Sequence, residues 1–473
     1  MKKQANDNIT QTIAAVATPA GEGGIAVIRL SGPSALKIAL KILKRDTLKD
    51  RVAAVCALDT GKVKDEVLAL YFKGPRSFTG EDVVEIHCHG SYFLAGKIVD
   101  ALIERGCRAA EPGEFTRRAF LNGRIDLTKA EGILDLIQSQ SEAGIIAAYT
   151  QAMGGVQDGI GALQQDLTRL IASASAAVDY PEEDLEEPVK GEILKSADSV
   201  LKKLKNLKNS FAGGALIREG VRVAITGLPN VGKSLLLNRL LGFERAIVTS
   251  EAGTTRDTLE ESFLFKGVRF ILTDTAGIRK AQSEAEKLGV ARSAGAVSEA
   301  NLILAVSEAD KEFTLELPKN KPVIFVKNKT DLFQNISLQE KGRQTKHGGA
   351  SAARNTSDSD MVFGGVFNEL QTDKVVYLSA LKNENIEELK EKMYAATVGK
   401  ISAKGVSINN RRHLTAVVKA EEALLRAKAA KDKSLDCVLS DLNEAYRALG
   451  SVTGVTATDE IINEIFAKFC VGK

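Results

Sequence analysis

A glycine-rich segment in the middle of the chain has the residue types that bind phosphate. Gly227-Leu-Pro-Asn-Val-Gly-Lys-Ser234 matches the pattern GxxxxGK[ST] and continues the apolar run VRVAIT. Glycines let the backbone fold around a phosphate, so that N–H groups and the N-terminus of the following helix face the negative charge. Lys233 can reach the terminal phosphates, and Ser234 can offer its hydroxyl to Mg²⁺. The segment therefore predicts a nucleoside triphosphate site.

Later motifs complete the phosphate site and choose the base. Asp274–Gly277 (DTAG) suits an aspartate near the metal and a glycine N–H at the terminal phosphate. In Asn328–Asp331 (NKTD), the carboxylate of Asp331 can accept two hydrogen bonds from the N–H and NH₂ groups of guanine. Adenine lacks that donor pair and would leave the carboxylate unpaired, at a cost on the order of 1–3 kcal/mol. With Ser379–Leu381 as the loop that supports the base, the sequence predicts binding and hydrolysis of GTP.

The catalytic parts differ from those of a Ras-like enzyme, in which a glutamine after DTAG orients the attacking water and an arginine stabilises charge. Here Ile278 follows Gly277, and its side chain can do neither task. Hydrolysis therefore needs another residue to position water and another cation.

Apolar periodicity predicts the elements that position these motifs. Residues 220–396 contain the strand-like runs VRVAITG, RFILTDT, LILAVS, PVIFVKN and KVVYLSA, separated by helix-sized intervals. This pattern predicts a parallel sheet covered on both faces. The first 120 residues mix strands, at Ile25–Leu30 and Val67–Phe72, with a helix after the turn Ser31–Ser34 that runs through Leu43.

Helical patterns stand on both sides of the parallel sheet. Helix faces are predicted from Leu127, Ala130, Leu134 and Ile137, and from Leu435, Val438, Leu442, Ala445 and Leu449. Gly450 is a plausible C-cap, and Thr458 or Asp459 can cap a last helix that carries Ile461, Ile465 and Phe469. We expect one helical domain with the nucleotide domain inserted into it, although two separate helical domains would produce the same pattern.

Length and composition limit the remaining possibilities. A chain of 473 residues is too long for one core, so two to four domains are expected. With 64 basic and 61 acidic residues, the chain does not hold nucleic acid by net charge alone, and the lysines at 202, 203, 205 and 208 are more simply solvated helix faces. The lack of a long apolar run or signal peptide, together with five scattered cysteines, predicts a cytoplasmic protein without a membrane span.

Further motifs carry a resemblance to a known family. They are TPAGEGGIAVIRLSG, SFTGEDVVEIHCHG, EPGEFTRRAFLNGRIDL, the P-loop asparagine Asn230, GTTRD at Gly253–Asp257, DTAGI and the terminal Cys470-Val-Gly-Lys473. The chain resembles the TrmE–Era branch of translation GTPases and, within it, the tRNA-modifying GTPases of the MnmE (TrmE) family. The resemblance runs from about residue 11 to residue 473, and the polar insertion at about 335–370 is its main departure.

The family implies a fold and a domain order. It has a P-loop GTPase parallel sheet inserted in a helical domain and preceded by an α+β folate-binding domain, which makes a multidomain α/β and all-α chain. The predicted domains are 1–124 for folate binding and dimerisation, 125–219 and 399–473 for the two helical parts, and 220–398 for the G domain.

The resemblance also assigns ions to the nucleotide site. It implies K⁺ bound by Asn230, Thr249, Glu251 and Thr254, Mg²⁺ bound by Ser234 and Thr255, and water orientation by Glu286, with Lys233 also catalytic. The residues alone would favour a loop-shaping role for Asn230 and an ordinary exposed acid at Glu286, and it is the resemblance that implies the roles given above. The full predicted GTP site comprises Asn230, Val231, Gly232, Lys233, Ser234, Leu235, Thr249, Ser250, Glu251, Ala252, Gly253, Thr254, Thr255, Asp274, Thr275, Ala276, Gly277, Asn328, Lys329, Thr330, Asp331, Ser379, Ala380 and Leu381.

A second site is implied for a tetrahydrofolate derivative, either 5-formyl- or 5,10-methylene-tetrahydrofolate. By matching motif position it contains Arg29, Glu85, Arg124 and Lys473, each of which could otherwise be an ordinary surface charge. A pterin ring presents the same adjacent N–H and NH₂ donors as guanine, which suits a carboxylate at Glu85. Cys470 is either a nucleophile or a packing thiol. Zinc at His87-Cys-His89 is disfavoured because two further ligands with suitable spacing are missing.

The function implied by the resemblance is modification of tRNA at carbon 5 of the wobble uridine by an aminomethyl or carboxymethylaminomethyl group. The implied assembly is a homodimer that joins a flavoprotein of the MnmG (GidA) type in a heterotetramer or larger complex, with FAD on the partner. The alternative is a ribosome-assembly switch like Era, which would need an RNA-binding module such as a KH domain. We find no GXXG-plus-basic module after the G domain.

Overall fold

The computed structural model describes residues 11–179, 186–242, 261–274, 295–332, 374–399, 407–430 and 434–473. The insertion predicted at 335–370 lies outside these ranges. The chain divides into two compact units, one drawn from residues 1–138, 148–209 and 406–473 and the other from residues 139–147 and 210–405. In the described part of the chain, no helix is both long enough and apolar enough to span a bilayer.

Strands are concentrated in two sheets of six. Those of the first unit are β1 Ile13–Val16, β2 Ile25–Ser31, β3 Ala54–Asp59, β4 Lys64–Phe72, β5 Val83–His89 and β6 Arg108–Ala109. Those of the second unit are β7 Val221–Thr226, β8 Glu261–Phe265, β9 Val268–Asp274, β10 Leu302–Glu308, β11 Val323–Asn328 and β12 Val375–Tyr377.

Helices occupy most of the remaining described chain. They are α1 Ala35–Leu40, α2 Tyr92–Glu104, α3 Glu114–Leu121, α4 Leu127–Gln138, α5 Glu142–Ala152, α6 Gly155–Asp179, α7 Glu186–Glu219, α8 Lys233–Leu241, α9 Ile386–Thr397, α10 Arg411–Ala429, α11 Leu435–Thr453 and α12 Asp459–Ala467.

The first sheet has the order β3-β4-β5-β2-β1-β6 and is antiparallel except for the β1–β6 pair. Residues alternate along its strands with the period of two that a one-sided sheet requires. In β5, Val84, Ile86 and Cys88 are buried, whereas Glu85 and His87 are half-buried on the opposite face. That second face therefore carries polar side chains at a central position of the sheet.

The second sheet has the order β12-β11-β10-β7-β9-β8. Every pair is parallel except β8–β9, and strand β8 is an element that the sequence pattern did not reveal. The middle strand β10 is buried at all positions except its last, Glu308. The predicted parallel sheet is confirmed, and its continuous apolar strands reflect burial on both faces.

Helices before and after the second unit in sequence belong to the same compact unit. This grouping favours one helical domain with an insertion, and the predicted domain bounds stay a prediction. The predicted face of α11 is buried along its whole length, and Leu127, Ala130 and Leu134 of α4 are buried as well. Ile137, by contrast, is 46% exposed because it lies at the end of α4, beyond its packed part.

Two of three predicted helix boundaries differ from those in the structure. Gly450 lies inside α11, and the C-cap is Gly454 with φ 95°, a left-handed conformation that glycine adopts without strain. The helix after Ser34 ends at Leu40, earlier than the predicted Leu43. Thr458 caps α12 as expected, because its side chain accepts a hydrogen bond from the Ile461 N–H.

A buried ionic cluster joins the helices that flank the nucleotide domain in sequence. Glu131 on α4 accepts hydrogen bonds from Asn410 Nδ2 (2.9 Å) and from Arg412 Nε and Nη2 (2.9 and 2.7 Å). Its Oε2 also lies 2.7 Å from Nε2 of His413, which is fully buried. Burial alone would raise the pKa of Glu131, but the attraction of His413 and the hydrogen bonds of His413 and Arg412 lower it to about 2.

Replacing Glu131 by Gln should destabilise this unit by about 3 kcal/mol, because the substitution leaves Arg412 half-buried without its countercharge. A group whose folded pKa is depressed stabilises the fold above its unfolded pKa of 4.5, and the contribution is lost as pH falls toward 2. Urea titrations, with hydrogen exchange measured for α4 and α10, should show the full difference in free energy of unfolding between wild type and variant above pH 4.5. Below pH 4.5 this difference should become smaller. The control Glu444→Gln removes an exposed partner of Arg426 and should leave the midpoint unchanged. Equal midpoints for Glu131→Gln and wild type would contradict the role of the cluster.

Candidate functional site

Parallel pairing brings the predicted nucleotide motifs to one edge of the second sheet. In register, Ala305 of β10 pairs with Thr226 at the end of β7, Ile225 pairs with Asp274 at the end of β9, and Glu308 pairs with Asn328 at the end of β11. Parallel strands present their carboxyl ends at the same edge, where ligands bind in open α/β sheets. The loops at Gly227, Asn328 and Ser379 therefore converge.

The phosphate-binding loop needs its glycines for reasons visible in the structure. Gly227 has φ 154°, and a Cβ atom there would lie 2.2 Å from the carbonyl oxygen of Val306. Gly232 has φ 94°, and its Cβ would lie 2.3 Å from Asn328 Nδ2. Asn230 also adopts a left-handed conformation, with φ 66°. The loop is thus packed directly against β10 and the guanine motif, which leaves no room for side chains at either glycine.

The lysine of the loop is held inside it. Lys233 is 7% exposed at the first position of α8, and its Nζ donates to the carbonyl oxygens of Gly227 (2.9 Å) and Leu228 (2.7 Å). Asn230 and Ser234 are exposed, so their side-chain oxygens are open to a ligand. The ammonium group of Lys233 and the N-terminus of α8 therefore lie together at the phosphate-binding loop, where both favour a bound phosphate.

Asn328 ties the base-reading motif to both neighbouring loops. This side chain is 2% exposed, its Nδ2 donates to Val231 O (2.8 Å), and its Oδ1 accepts from the Ala380 N–H (3.0 Å). Ser379 Oγ donates to Asp331 Oδ1 (2.5 Å) and accepts from the Lys382 N–H (3.1 Å). The carboxylate predicted to read guanine is thereby oriented by the loop predicted to support the base.

Two residues at this edge of the sheet, Arg239 and Glu308, belong to none of the sequence motifs. Arg239 on α8 donates from Nε to Ala380 O (2.9 Å) and from Nη2 to Leu381 O (3.0 Å), so it fixes the base-supporting loop to the phosphate-binding helix. Glu308 at the end of β10 accepts from Lys329. Neither stands in a motif, and only the strand register and the helix position bring them to the site.

Some predicted site residues lie outside the described residues. They are Thr249, Ser250, Glu251, Ala252, Gly253, Thr254, Thr255, Thr275, Ala276, Gly277 and Glu286. Asp274 is placed as the last residue of β9. The structure therefore brings together Asn230–Leu235, Asn328–Asp331 and Ser379–Leu381, and the roles of the others stay predictions.

The second predicted site lies on the half-exposed face of the first sheet. Arg29 and Glu85 are cross-strand partners of β2 and β5, and Arg29 donates from Nε (2.9 Å) and Nη2 (2.7 Å) to Glu85 Oε1. The guanidinium carbon also lies 5.8 Å from the ring centres of Phe78 and Phe115. A paired carboxylate beside aromatic rings suits a flat ring that presents N–H donors.

The C-terminal residues return to this site. Phe115 N–H donates to Lys473 O (3.2 Å), and Gly113 N–H donates to Cys470 O (3.3 Å). Lys473 thus lies beside Phe115. Arg124 is exposed and lies next to Gly80, since a Cβ atom added to Gly80 would be 3.3 Å from Arg124 Cγ. Arg29, Glu85 and Lys473 are brought together through Phe115, and Arg124 lies near the loop that carries Phe78.

A buried arginine supports this site and was also missed by sequence reasoning. Arg118 on α3 is 1% exposed and donates to Glu81 Oε2 (3.0 Å) and Glu114 Oε1 (2.9 Å). Burial raises the pKa of Glu114, but hydrogen bonds from Arg108, the backbone and Arg118 hold it below its usual value. The ionised pair joins helix α3, which carries Phe115, to the loop after Phe78.

The histidines of β5 have partners other than a metal. Among the described residues no group of three or more His, Cys, Asp or Glu side chains is placed to hold a metal ion. His89 Nδ1 lies 2.6 Å from Asp65 Oδ1, and the His89 N–H donates to Asp65 Oδ2 (3.0 Å). His87 Nε2 lies 3.5 Å from Glu85 Oε2, which places it at the edge of the second site.

The chain is similar to known proteins along nearly its whole length. Residues 12–124 match the family model described as GTP-binding protein TrmE N-terminus, and residues 127–470 match the model described as MnmE helical domain. The chain is 38% identical to the tRNA modification GTPase MnmE of Carboxydothermus hydrogenoformans over 98% of this chain and 99% of that protein. It is also 38% identical to the protein of the same name from Clostridioides difficile, over 98% of this chain and 100% of that protein.

Replacing Asp331 by Asn should exchange the preferred base. The Asn side chain would place its NH₂ donor against the 2-NH₂ donor of guanine. With xanthine, it would instead donate to the 2-oxo group and accept from N1–H. We expect the Kd for GDP to rise roughly 100-fold or more and that for xanthosine diphosphate to fall, as measured by calorimetry. Asp310→Asn changes an exposed carboxylate after the neighbouring strand and serves as the matched control. Unchanged GDP affinity in Asp331→Asn would refute the assignment of the base-reading carboxylate.

Proposed function

The chain belongs to the MnmE family of tRNA modification GTPases, and we propose that it is the GTP-hydrolysing subunit of a complex that modifies the wobble uridine of tRNA. As a member of this family it is a GTP hydrolase that acts in tRNA modification. The observation that carries the finer proposal is the pairing of two sites in one chain. One is the guanine-nucleotide edge of the second sheet, and the other is the Arg29–Glu85 face of the first.

We assign the hydrolytic step to the residues of the nucleotide edge. Lys233 and the N-terminus of α8 would bind the phosphates, and Ser234 and Thr255 would hold Mg²⁺, with Asp274 near the metal. Ile278 stands where Ras-like enzymes carry the water-orienting glutamine, so Glu286 is proposed to orient the attacking water. Thr255 and Glu286 lie outside the described residues, and their roles rest on the matching motif positions.

A monovalent cation would take the place of an arginine. Asn230 is exposed within the phosphate-binding loop, and its backbone has φ 66°, in the left-handed region. Its amide oxygen, with Thr249, Glu251 and Thr254, makes a set of hard oxygen ligands suited to K⁺. When bound, K⁺ would supply positive charge near the phosphates.

Turnover of GTP should be at least roughly tenfold faster in KCl than in NaCl at equal ionic strength, because the cation stabilises charge that develops in the transition state. Phosphate release at saturating GTP measures this ratio. Asn230→Gly removes the amide oxygen but tolerates the positive φ, so it should lose the preference for KCl and keep binding GDP. Equal rates in the two salts for the wild type would overturn the assignment of K⁺.

For the one-carbon step, we propose that the sheet-face site binds a tetrahydrofolate derivative, 5-formyl- or 5,10-methylene-tetrahydrofolate. Arg29 holds Glu85 Oε1 by two hydrogen bonds, and the carboxylate fixed in this way would accept from the N–H and NH₂ donors of a pterin ring. Lys473 and Arg124 would meet the folate's carboxylates or polar ring atoms. The carbonyl of Cys470 accepts a hydrogen bond from the Gly113 N–H, and the residue is exposed. Its thiol would act in this region as the nucleophile.

The remaining parts of the proposal concern assembly. A flavoprotein of the MnmG (GidA) type would carry FAD and supply reducing power, and the chain would act as a homodimer within a heterotetramer or larger complex in the cytoplasm. The product would carry an aminomethyl or carboxymethylaminomethyl group at carbon 5 of the wobble uridine. GTP hydrolysis would drive a conformational cycle of the G domains.

The Glu85→Gln chain should lose folate binding and keep GTP hydrolysis, because the two sites use different sheets. We expect the Kd for 5-formyltetrahydrofolate to rise roughly tenfold or more by calorimetry. Modification of tRNA in a reaction reconstituted with the flavoprotein should fall in parallel. Glu66→Gln, an exposed carboxylate of β4 in the same sheet, should behave as the wild type. Normal folate binding by Glu85→Gln would refute the site, and unmodified tRNA with the complete wild-type system would refute the function.

A further inference from the structure

A carboxylate outside every sequence motif contacts the guanine motif. Glu308 is the last residue of β10, and its register partner is Asn328, the last residue of β11. The two oxygens of Glu308 have separate partners. Oε1 accepts a hydrogen bond from Lys329 Nζ at 2.5 Å, whereas Oε2 pairs with Lys311, three residues further along the chain.

Lys329 is constrained at both ends of its side chain. Its backbone lies in the left-handed region at φ 65°, which a residue with a Cβ adopts only when its surroundings impose it. Other residues of the motif are fixed as well, since Asn328 is hydrogen-bonded to Val231 and Ala380, and Asp331 is hydrogen-bonded to Ser379. The ion pair with Glu308 then fixes the far end of the side chain.

This geometry sets the path of the lysine side chain. The Cα of Lys329 follows β11, and its ammonium group is bound at the end of β10, so the methylene groups cross the carboxyl edge of the sheet. That edge also carries the phosphate-binding loop and Asp331. An aliphatic stem whose head group is held elsewhere forms an apolar surface beside the pocket.

Charge at the site favours a permanent pair. Glu308 is shielded to 19% exposure and Lys329 to 31%. The hydrogen bonds of Lys311 and Lys329 lower the pKa of Glu308 to about 2. The Lys311 segment is itself held, because Lys327 Nζ donates to Lys311 O (2.6 Å). The carboxylate is therefore ionised and fixed whenever the pocket is formed.

We propose that Glu308 is a positioning residue of the guanine pocket, which holds Lys329 across the sheet edge and so prepares the pocket for the base. The proposal rests on the assignment of Asn328–Asp331 as the base-reading motif. Binding then orders fewer rotatable bonds, because the lysine is placed before the nucleotide arrives. Because the side chain of Glu308 pairs with Lys329 and Lys311, we expect its effect to fall on binding and not on the chemical step.

Five full-length variants test this: Glu308→Gln, Glu308→Asp, Lys311→Met, Lys329→Met and the double variant Glu308→Gln with Lys329→Met. Glu308→Gln keeps the shape but removes the charge, and the Kd values for GDP and GTP should rise together by roughly 5- to 20-fold with kcat unchanged. Lys311→Met removes only the partner of the other oxygen and should stay within about twofold of the wild type. Glu308→Asp should recover part of the affinity.

The double variant separates positioning from a general structural role. If Glu308 acts through Lys329, Glu308→Gln adds no further loss in the Lys329→Met background. An equal loss in both backgrounds, an unchanged Kd in Glu308→Gln, or a fall in kcat without a change in Kd would each overturn the proposal. The preference of the wild type for GDP over ADP is measured beside them. If the wild type shows no preference for GDP over ADP, the guanine site itself is refuted. If it shows that preference and Glu308→Gln has an unchanged Kd, only the role of Glu308 is refuted.

Discussion

Two hydrogen bonds of one buried amide hold the nucleotide edge together. Asn328 donates to the phosphate-binding loop at Val231 and accepts from the base-supporting loop at Ala380, so three segments that are far apart in sequence are fixed to one side chain. A buried amide pays a desolvation cost unless both its groups are bonded, and here both are. The absence of a side chain at Gly232 is part of the same constraint, because a Cβ there would collide with Asn328 Nδ2. Phosphate binding and base reading are therefore not independent features of this sheet.

The other unit depends on buried charge in a similar way. Glu131 joins α4 to the residues at the start of α10, although the whole nucleotide domain lies between these two helices in sequence. Arg118 joins α3 to the loop after Phe78. Removing one partner of such a cluster is costly because the other partner stays buried with its charge. The result is a rigid support for a half-exposed sheet face on which Arg29 is bonded to Glu85 and the chain end at Lys473 returns to Phe115. Both sites thus combine a polar group open to a ligand with a partner that fixes its direction.

Sequence patterns predicted most of this architecture because they report local physics. Continuous apolar runs predicted the parallel sheet, and the 3-4 spacing predicted the buried face of α11 from Leu435 to Leu449. The motifs assigned Lys233, Asn328, Asp331 and Ser379 to one GTP site, and the structure brings these residues to one edge of the second sheet. What sequence could not supply depends on contacts between distant segments. Gly450 looked like a helix end, yet Gly454 is the C-cap, and Arg239, Glu308 and Arg118 belong to no motif. Their roles follow from strand register and helix packing, which no short pattern encodes.

The central claim is that the carboxylate of Asp331, oriented by Ser379, selects guanine at an edge organised by Asn328. Competition for binding to the intact wild-type chain among GDP, inosine diphosphate and ADP tests it most directly. Inosine diphosphate lacks the 2-NH₂ donor, whereas ADP lacks both donors and opposes the carboxylate with an acceptor. The account predicts the affinity order GDP, then inosine diphosphate, then ADP, with successive losses of roughly tenfold or more. Affinities for ADP and GDP within about threefold of each other would contradict it. Such a difference in binding free energy is smaller than the contribution of one hydrogen bond to the carboxylate.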